Sequence, residues 1–494
     1  MASFLLTFDL GTSSERAILF DKDLHIAGTE QSAFPQYYPQ PGRVEQDPEE
    51  IWQTQLRLTR RLLGGKDLSA KDIAGIGITN QRETVIVWDR RSGKAVYPAI
   101  VWQDKRTSSR CEALRERGFS DRVREKTGLI IDPYFSATKL QWILEKVPGA
   151  GERAEAGDLL FGTVDSWIVW RLTGGKLHVT DVSNAARTML FNIHDREWDR
   201  ELLELFAVPE AMLPEVRSSS EVYAETLPEF FGAPIPVCGI AGDQQAALFG
   251  QGCTEAGMAK NTYGTGCFML MNTGSKAVRS RHGLLTTVAW ERDGKLRYAL
   301  EGAVFTAGAA IQWLRDNLHI IATAADSAAA AAKLRDNGGV YFVPAFSGLG
   351  APHWDMNVRG TVSGLTQGAT AEHLIRAALE SIAYQSKDVL DAMEQDSGVR
   401  LKALNADGGA TANDFLMQFQ ADILHCPVHR SAVRESTALG AAMLAGLACG
   451  FCTENTIRRP GRHAQCFEPA MPEVRRKALY AGWQRAVRKA RCGH

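Results

Sequence analysis

The sequence predicts an α/β protein of two domains. Short apolar strands recur among amphipathic helices, 494 residues exceed what one hydrophobic core sustains, and a strand, glycine/threonine turn, strand pattern occurs near the start and again past the middle. The first instance is Phe8-Asp9-Leu10-Gly11-Thr12-Ser13-Ser14, set between Phe4-Leu5-Leu6 and Ala17-Ile18-Leu19-Phe20. The second is Tyr263-Gly264-Thr265-Gly266, set between residues 258–263 and 267–271. Glycine lets the backbone bend and approach a ligand closely, and the hydroxyls and N–H groups after it suit phosphate oxygens. A carboxylate there would repel phosphate, so Asp9 points to a Mg2+ held between them through water. A hairpin that happens to carry an Asp near its turn is the plain alternative for this segment alone.

The remaining elements follow in order. Residues 24–28 read as a third strand and 34–42 as irregular. Asp47-Pro48-Glu49-Glu50 starts a helix, with an N-cap, Pro at the first position, acids in the first turn and apolar spacing at Ile51, Leu56, Leu58 and Leu62. Residues 73–78 form a strand that ends at Asn80-Gln81-Arg82-Glu83, residues 85–88 form another, and residues 236–240 lead into Ala241-Gly242-Asp243-Gln244. In the second half, helical runs are expected over 303–318, 322–334 and 371–393. A strand then meets the glycine turn Asp407-Gly408-Gly409, and a helix starts at Asn413. The basic tail 475–491 reads as a packed helix whose apolar face is Leu479, Trp483, Ala486, Val487 and Ala490. The domains are expected at 1–252 and 253–494, with a hinge around 250–257.

A net charge of −1 argues against a general nucleic-acid or membrane-surface binder. The N-terminal apolar run is too short for a secretory segment, and the uncharged stretch 438–452 is too short and glycine-broken to span a membrane. A cytoplasmic protein without membrane insertion is expected. Nine cysteines, mostly in apolar surroundings, fit reduced thiols. Cys449-Gly450-Phe451-Cys452 has redox-motif spacing, but it lacks a second pair for zinc and closes a helix rather than opening one.

Several segments carry candidate chemistry. Arg82, Glu83, Tyr134, Asp243 and Gln244 can hydrogen-bond hydroxyls, while Trp102 and Phe268 can wall a small carbon skeleton. Taken alone, Arg82 with Glu83 could be a surface ion pair, Trp102 and Phe268 core residues, and Asp243 a helix cap. The motifs Phe8–Ser14, Thr79-Asn80-Gln81-Arg82-Glu83-Thr84, Val101-Trp102-Gln103-Asp104, Asp132-Pro133-Tyr134-Phe135-Ser136, Gly242-Asp243-Gln244-Gln245, Tyr263-Gly264-Thr265-Gly266-Cys267-Phe268 and Asp407-Gly408-Gly409 together resemble the FGGY carbohydrate kinases, and among them the branch that acts on glycerol. The resemblance runs from about residue 4 to Trp483.

The resemblance implies two actin-like/ribonuclease-H-like ATPase domains with an interdomain cleft. It also implies ATP and Mg2+ as cofactors, glycerol as acceptor, glycerol 3-phosphate as product, and a homodimer or homotetramer. Asp243 would be the general base, and Asp9 and Asp243 would bracket the metal. Glycerol would lie against Arg82, Glu83, Trp102, Tyr134, Asp243, Gln244 and Phe268. Phosphates would lie against Thr12, Ser13, Ser14, Arg16 and Thr265, and the adenosine end against Gly308, Gln312, Gly409 and Asn413. The sequence departs from the family in one regulatory loop: 230–236 reads Phe-Phe-Gly-Ala-Pro-Ile-Pro, without the arginine that some members use to bind a sugar bisphosphate. The segment 467–472 also differs from the stretch those members present to a sugar-transport regulator. His194-Asp195-Arg196 resembles a region phosphorylated on histidine elsewhere in the family, and an exposed loop histidine without that role is the alternative.

Overall fold

The computed structural model describes residues 2–433, 435–457 and 463–492. Its first half is built on a sheet of Phe4–Leu10 (β1), Ser14–Phe20 (β2), Ile26–Ala33 (β3), Ile73–Asn80 (β4), Ser220–Glu225 (β5) and Pro236–Gly242 (β6), in the order β5-β6-β4-β1-β2-β3. Strands β6, β4 and β1 run parallel, whereas β2, β3 and β5 join antiparallel. Helix α1, Pro48–Gly65, covers one face. Asp47 caps it by accepting from the Glu49 N–H at 2.8 Å, Pro48 occupies its first turn, and Ile51, Trp52, Leu58 and Leu62 are buried.

The second half repeats the plan. Met258–Tyr263 (β7), Cys267–Gly274 (β8), Leu285–Arg292 (β9), Lys295–Val304 (β10), Ala403–Asp407 (β11), Val428–Ser431 (β12) and His463–Phe467 (β13) form a sheet in the order β9-β10-β8-β7-β11-β12-β13. From β10 to β13 the pairings run antiparallel, antiparallel, parallel, parallel, antiparallel. The first sheet gives the same series from β3 to β5, so the recurring turn is one part of a repeated six-strand topology, with β9 added at one edge.

Several expectations shift. The third strand begins at Ile26 rather than residue 24. Ile86–Asp89 pairs with Leu159–Gly162, outside the main sheet. Residues 303 and 304 finish β10 before helix Gly308–Asp316, and only Asp326–Ala332 is helical in the alanine tract. Helix Ala371–Ser397 is longer than its apolar pattern indicated, and the tail helix is Glu473–Cys492 with Trp483, Ala486, Val487 and Ala490 buried.

The halves meet along two helices, Asp243–Gly250 (α2) and Ser436–Ala448 (α3). Leu5, Ile18 and Phe20 from the first sheet, Leu270 and Ala299 from the second, and Leu248, Leu439 and Met443 from the helices share one apolar layer. Glycines set the spacing: a Cβ on Gly440 would lie 1.8 Å from the Ala246 carbonyl oxygen, and one on Gly250 would lie 2.0 Å from that of Ser436. Helix α3 also presses on the first sheet, where a Cβ on Gly77 would lie 2.4 Å from the Ala441 oxygen. This helix is apolar all round because it is buried all round. Among the described residues, no helix is long and apolar enough to cross a membrane.

Candidate active site

Parallel register brings three charged residues to one edge of the first sheet. Asn80 pairs with Gly242 and Thr79 with Asp9, so Arg82 after β4, Asp243 after β6 and Asp9 near the end of β1 emerge together at the carboxyl ends, where α/β sheets bind ligands. Below them, the turn after β1 is closed by the Gly11 N–H donating to the Ser14 carbonyl at 3.1 Å. A Cβ on Gly11 would sit 2.8 Å from that oxygen. Gln36 and Gln46 donate to the Thr12 carbonyl at 3.0 and 2.8 Å, and Trp102 Nε1 donates to Thr12 Oγ1 at 2.9 Å. The turn is thus held from outside. Gln31 donates to Ser14 Oγ at 3.2 Å and Gln36 lies 3.5 Å from Ser13 Oγ.

Arg16 Nη1 donates to Asp9 Oδ2 at 2.9 Å and lies 3.5 Å from Glu435 at the foot of α3. Burial pushes the Asp9 carboxyl up, Arg16 opposes that, and Glu435 and Asp243 reinforce it; the result is about 6. Asp243 keeps 32% of its side-chain surface and accepts the Gln244 N–H at 2.6 Å. Burial raises its carboxyl above the usual range, against the pull of Arg82 and Lys260.

Arg82 and Glu83 are 3% and 1% exposed, so theirs is no surface pair. They lie 3.7 Å apart, and each has a nearer partner. Arg82 Nη1 donates to Glu301 Oε2 at 2.7 Å, its Nη2 to Glu301 Oε1 at 3.2 Å and to Tyr134 Oη at 3.4 Å, and its Nε is 3.3 Å from Asp243. Arg187, fully buried, donates to Glu83 at 2.6 Å and to Glu301 at 3.0 Å. Glu301 belongs to β10 of the other half. Burial disfavours its charge, but Arg187 and Arg82 outweigh that and hold its carboxyl down to about 2. Glu301 and Arg187, absent from the sequence-based set, therefore complete the network around Arg82.

Tyr134 meets Trp102 edge to face, ring centroids 5.4 Å apart. Phe268 lies across the cleft on β8. Its neighbours Cys267 and Met269 enter the core of the second half, whereas Leu270, on Phe268's own face, enters the layer between the halves. Leu270 pairs with Glu301 and Phe268 with Ala303, so Phe268 is the diagonal neighbour of Glu301, 37% exposed toward the cleft side. Lys260 is buried and donates to Gln244 Oε1 and, at 3.0 Å, to Thr262 Oγ1. It is a third charged residue that the sequence did not single out.

Thr265, Gly308, Gln312, Gly409 and Asn413 line one cleft of about 520 Å³ in the second half, floored by Ile311, Leu379, Ile382 and Leu416. Gly308 N–H donates to the Gly264 carbonyl at 3.0 Å, where a Cβ on Gly308 would come within 2.6 Å, so the helix start docks directly on the turn. Thr12, Ser13, Ser14 and Arg16 stand apart from this cleft, on the first half. A larger surface groove of about 760 Å³ between Ala332, Phe415 and Met471 contains none of the glycine turns. His194 is exposed, and its Nε2 hydrogen-bonds the Glu125 carbonyl at 2.9 Å. Among the described residues no group of three or more His, Cys, Asp or Glu could hold a metal by itself. Asp9 and Asp243 offer the hard oxygen donors that a Mg2+ would take, and too few of them to hold it alone.

The model of the FGGY family of carbohydrate kinases, N-terminal domain, matches residues 4–250, and that of the C-terminal domain matches residues 259–449. The chain is 60% identical over 490 residues to a glycerol kinase of Carboxydothermus hydrogenoformans, covering 99% of this chain and 98% of that protein. It is 58% identical over 492 residues to one of Bacillus subtilis, covering 99% of each. The solved structure of Plasmodium falciparum glycerol kinase with ADP superposes with a TM-score of 0.93 at 36% identity, over 99% of this chain and 98% of that one. A ligand-bound xylulose kinase from Lactobacillus acidophilus shares the fold, with a TM-score of 0.89 at 23% identity, over 99% of this chain and 98% of that one.

Proposed function

The chain belongs to the FGGY family of carbohydrate kinases and phosphorylates glycerol with ATP, and we propose the following division of that work among its residues. The observation that carries the reading is the convergence of Asp243, Arg82 and Asp9 at the ends of three parallel strands, facing Phe268 and Glu301 of the other half. Arg82, Glu83, Tyr134, Asp243 and Gln244 hold the hydroxyls of glycerol, and Trp102 and Phe268 pack against its carbons. Asp243 is the general base: it accepts the proton of the terminal hydroxyl as that oxygen attacks the γ-phosphorus, and sn-glycerol 3-phosphate and ADP are formed. Its raised pKa suits it to hold that proton.

Thr12, Ser13, Ser14 and Arg16 meet the polyphosphate from the first half and Thr265 from the second, while Gly308, Gln312, Gly409 and Asn413 receive the adenosine end. When bound, Mg2+ neutralises phosphate charge, and Asp9 and Asp243 would hold it through water. Catalysis is positioning and charge stabilisation. Closure of the two halves excludes water, which would otherwise compete with so small an acceptor. The domains divide at 1–252 and 253–494, acceptor and phosphates on the first and nucleoside on the second. The enzyme acts in glycerol catabolism in the cytoplasm, as a homodimer or homotetramer.

The test is ADP release by purified protein with Mg2+ and ATP, first without acceptor, then with glycerol, a pentulose or a hexulose, alongside Asp243→Asn. Turnover that requires glycerol and vanishes in the variant supports the assignment. Turnover of a larger sugar alone, or without any acceptor, overturns the pocket assignment.

A further inference from the structure

Two cysteines far apart in sequence meet where α3 lies on the first sheet. Cys238 is in β6, the strand that ends at the proposed base, and has no exposed surface; Cys449 caps α3 and is half-buried. Gly75 of β4 makes room for both. A Cβ there would lie 2.9 Å from Cys238 Sγ and 3.4 Å from Cys449 Sγ, so the space a methyl would take is filled by two sulfurs. Cys449 Sγ also lies 3.9 Å from the Gly446 carbonyl oxygen of its own helix, to which its S–H donates.

We propose that Cys238 and Cys449 are a peroxide-oxidisable thiol pair, a modification site whose disulfide staples the end of α3 to the strand leading into Asp243. Pairing with Cys238 holds the Cys449 thiol below the usual range and pushes that of Cys238 above it. Cys449, the more accessible of the two, is the nucleophile, and Cys238, which has no exposed surface, is the resolving thiol. The Cys449 thiolate attacks a hydroperoxide: an S–O bond forms, the O–O bond breaks, and the leaving oxygen takes a proton to depart as water or alcohol. Cys238 then attacks the Cys449 sulfenic acid, forming the S–S bond, breaking the S–O bond and giving its proton to the departing hydroxide. Two electrons pass from the thiols to the peroxide.

The other buried thiols lack this arrangement. Burial pushes Cys111 up to about 11 and Cys253, Cys267 and Cys426 up to about 12, which leaves them protonated and inert. Cys452 does not share the space beside Gly75: its Sγ packs on Gly446, where a Cβ would come within 2.5 Å, and a Cys449–Cys452 bond is the rival pairing that the experiment separates.

The experiment uses the full chain with the exposed Cys466 and Cys492 changed to Ser, treated with hydrogen peroxide, alkylated and mapped by mass spectrometry. A cross-linked peptide joining residues 238 and 449, with loss of two alkylatable thiols that dithiothreitol restores, is the expected result. Cys449→Ser should leave Cys238 alkylatable, and Cys238→Ser should leave Cys449 as a sulfenic acid that dimedone traps. Recovery of both residues as free thiols after peroxide, or a Cys449–Cys452 bond, overturns the proposal.

Discussion

At the scale of single residues, Asp243 is the proposed base, and its neighbours set when it is ionised. Asp243→Asn keeps the shape of the side chain and removes the base, so kcat should fall by about 10²–10⁴ with a small change in the KM for glycerol, read from steady-state ADP release. Burial holds the Asp243 pKa above 3.8, and the ionised form is the active one, so kcat/KM should fall as pH drops through that raised value. Lys260 is one of the cations that hold this pKa down. Lys260→Met should therefore move the acid limb of the kcat/KM profile to higher pH, and an unmoved limb would remove Lys260 from the account. Arg82 and Asp243 were legible in the sequence because each sits inside a short motif after an apolar strand. Glu301 and Arg187 were not. Glu301 lies in the apolar run Ala299-Leu300-Glu301-Gly302, and its partners Arg82 and Arg187 are 219 and 114 residues away, so nothing local marks the position. Lys260 likewise lies in mid-strand, and its partner Gln244 belongs to another element, so nothing local marks the position.

At the scale of elements, the contact between α2 and α3 depends on having no side chain at two positions. Gly440→Ala would drive a Cβ into the Ala246 carbonyl, with backbone on both sides and no flexible group to yield. The expected cost is ~1–3 kcal/mol or more in urea unfolding. Gly64→Ala near the end of α1 meets nothing within 4 Å and should be neutral or stabilising by up to ~1 kcal/mol. Equal effects from the two substitutions would contradict the close approach. The same competition between local propensity and tertiary pairing explains what the sequence did not disclose. Ala303 and Val304 belong by composition to a helical run, yet they complete β10 because they pair with Phe268 and Cys267. The alanine tract after residue 322 is helical only over Asp326–Ala332, although alanine is the best helix former. The strand–turn–strand motifs, by contrast, were readable because each is closed within its own turn, as Gly11 and Ser14 show.

At the scale of the whole molecule, the two repeated sheets face each other across a buried charge network to which both halves contribute. Glu301 from the second half accepts from Arg82 and Arg187 of the first, so the orientation of Arg82 depends on how the halves sit. Glu301→Gln would leave those guanidiniums short of one charge in a buried place. The KM for glycerol should rise about tenfold or more, with a smaller change in kcat, since the loss is mainly in binding and orientation. Stability supplies an independent reading. The Glu301 pKa is about 2 in the folded chain against an ordinary 4.5, so its contribution is present above pH 4.5 and is lost as pH falls toward 2. The gap corresponds to about 3 kcal/mol. Asp9 acts in the opposite sense, its raised pKa of about 6 weakening the fold as pH rises from near 4 to 6, but that share is common to both proteins and cancels in the comparison. Urea unfolding at pH 7 and pH 3 should therefore show a smaller loss for Glu301→Gln than for the parent chain. An unchanged KM together with an unchanged pH dependence would mean that the charge across the cleft couples nothing, and that Arg82 is held by the first half alone.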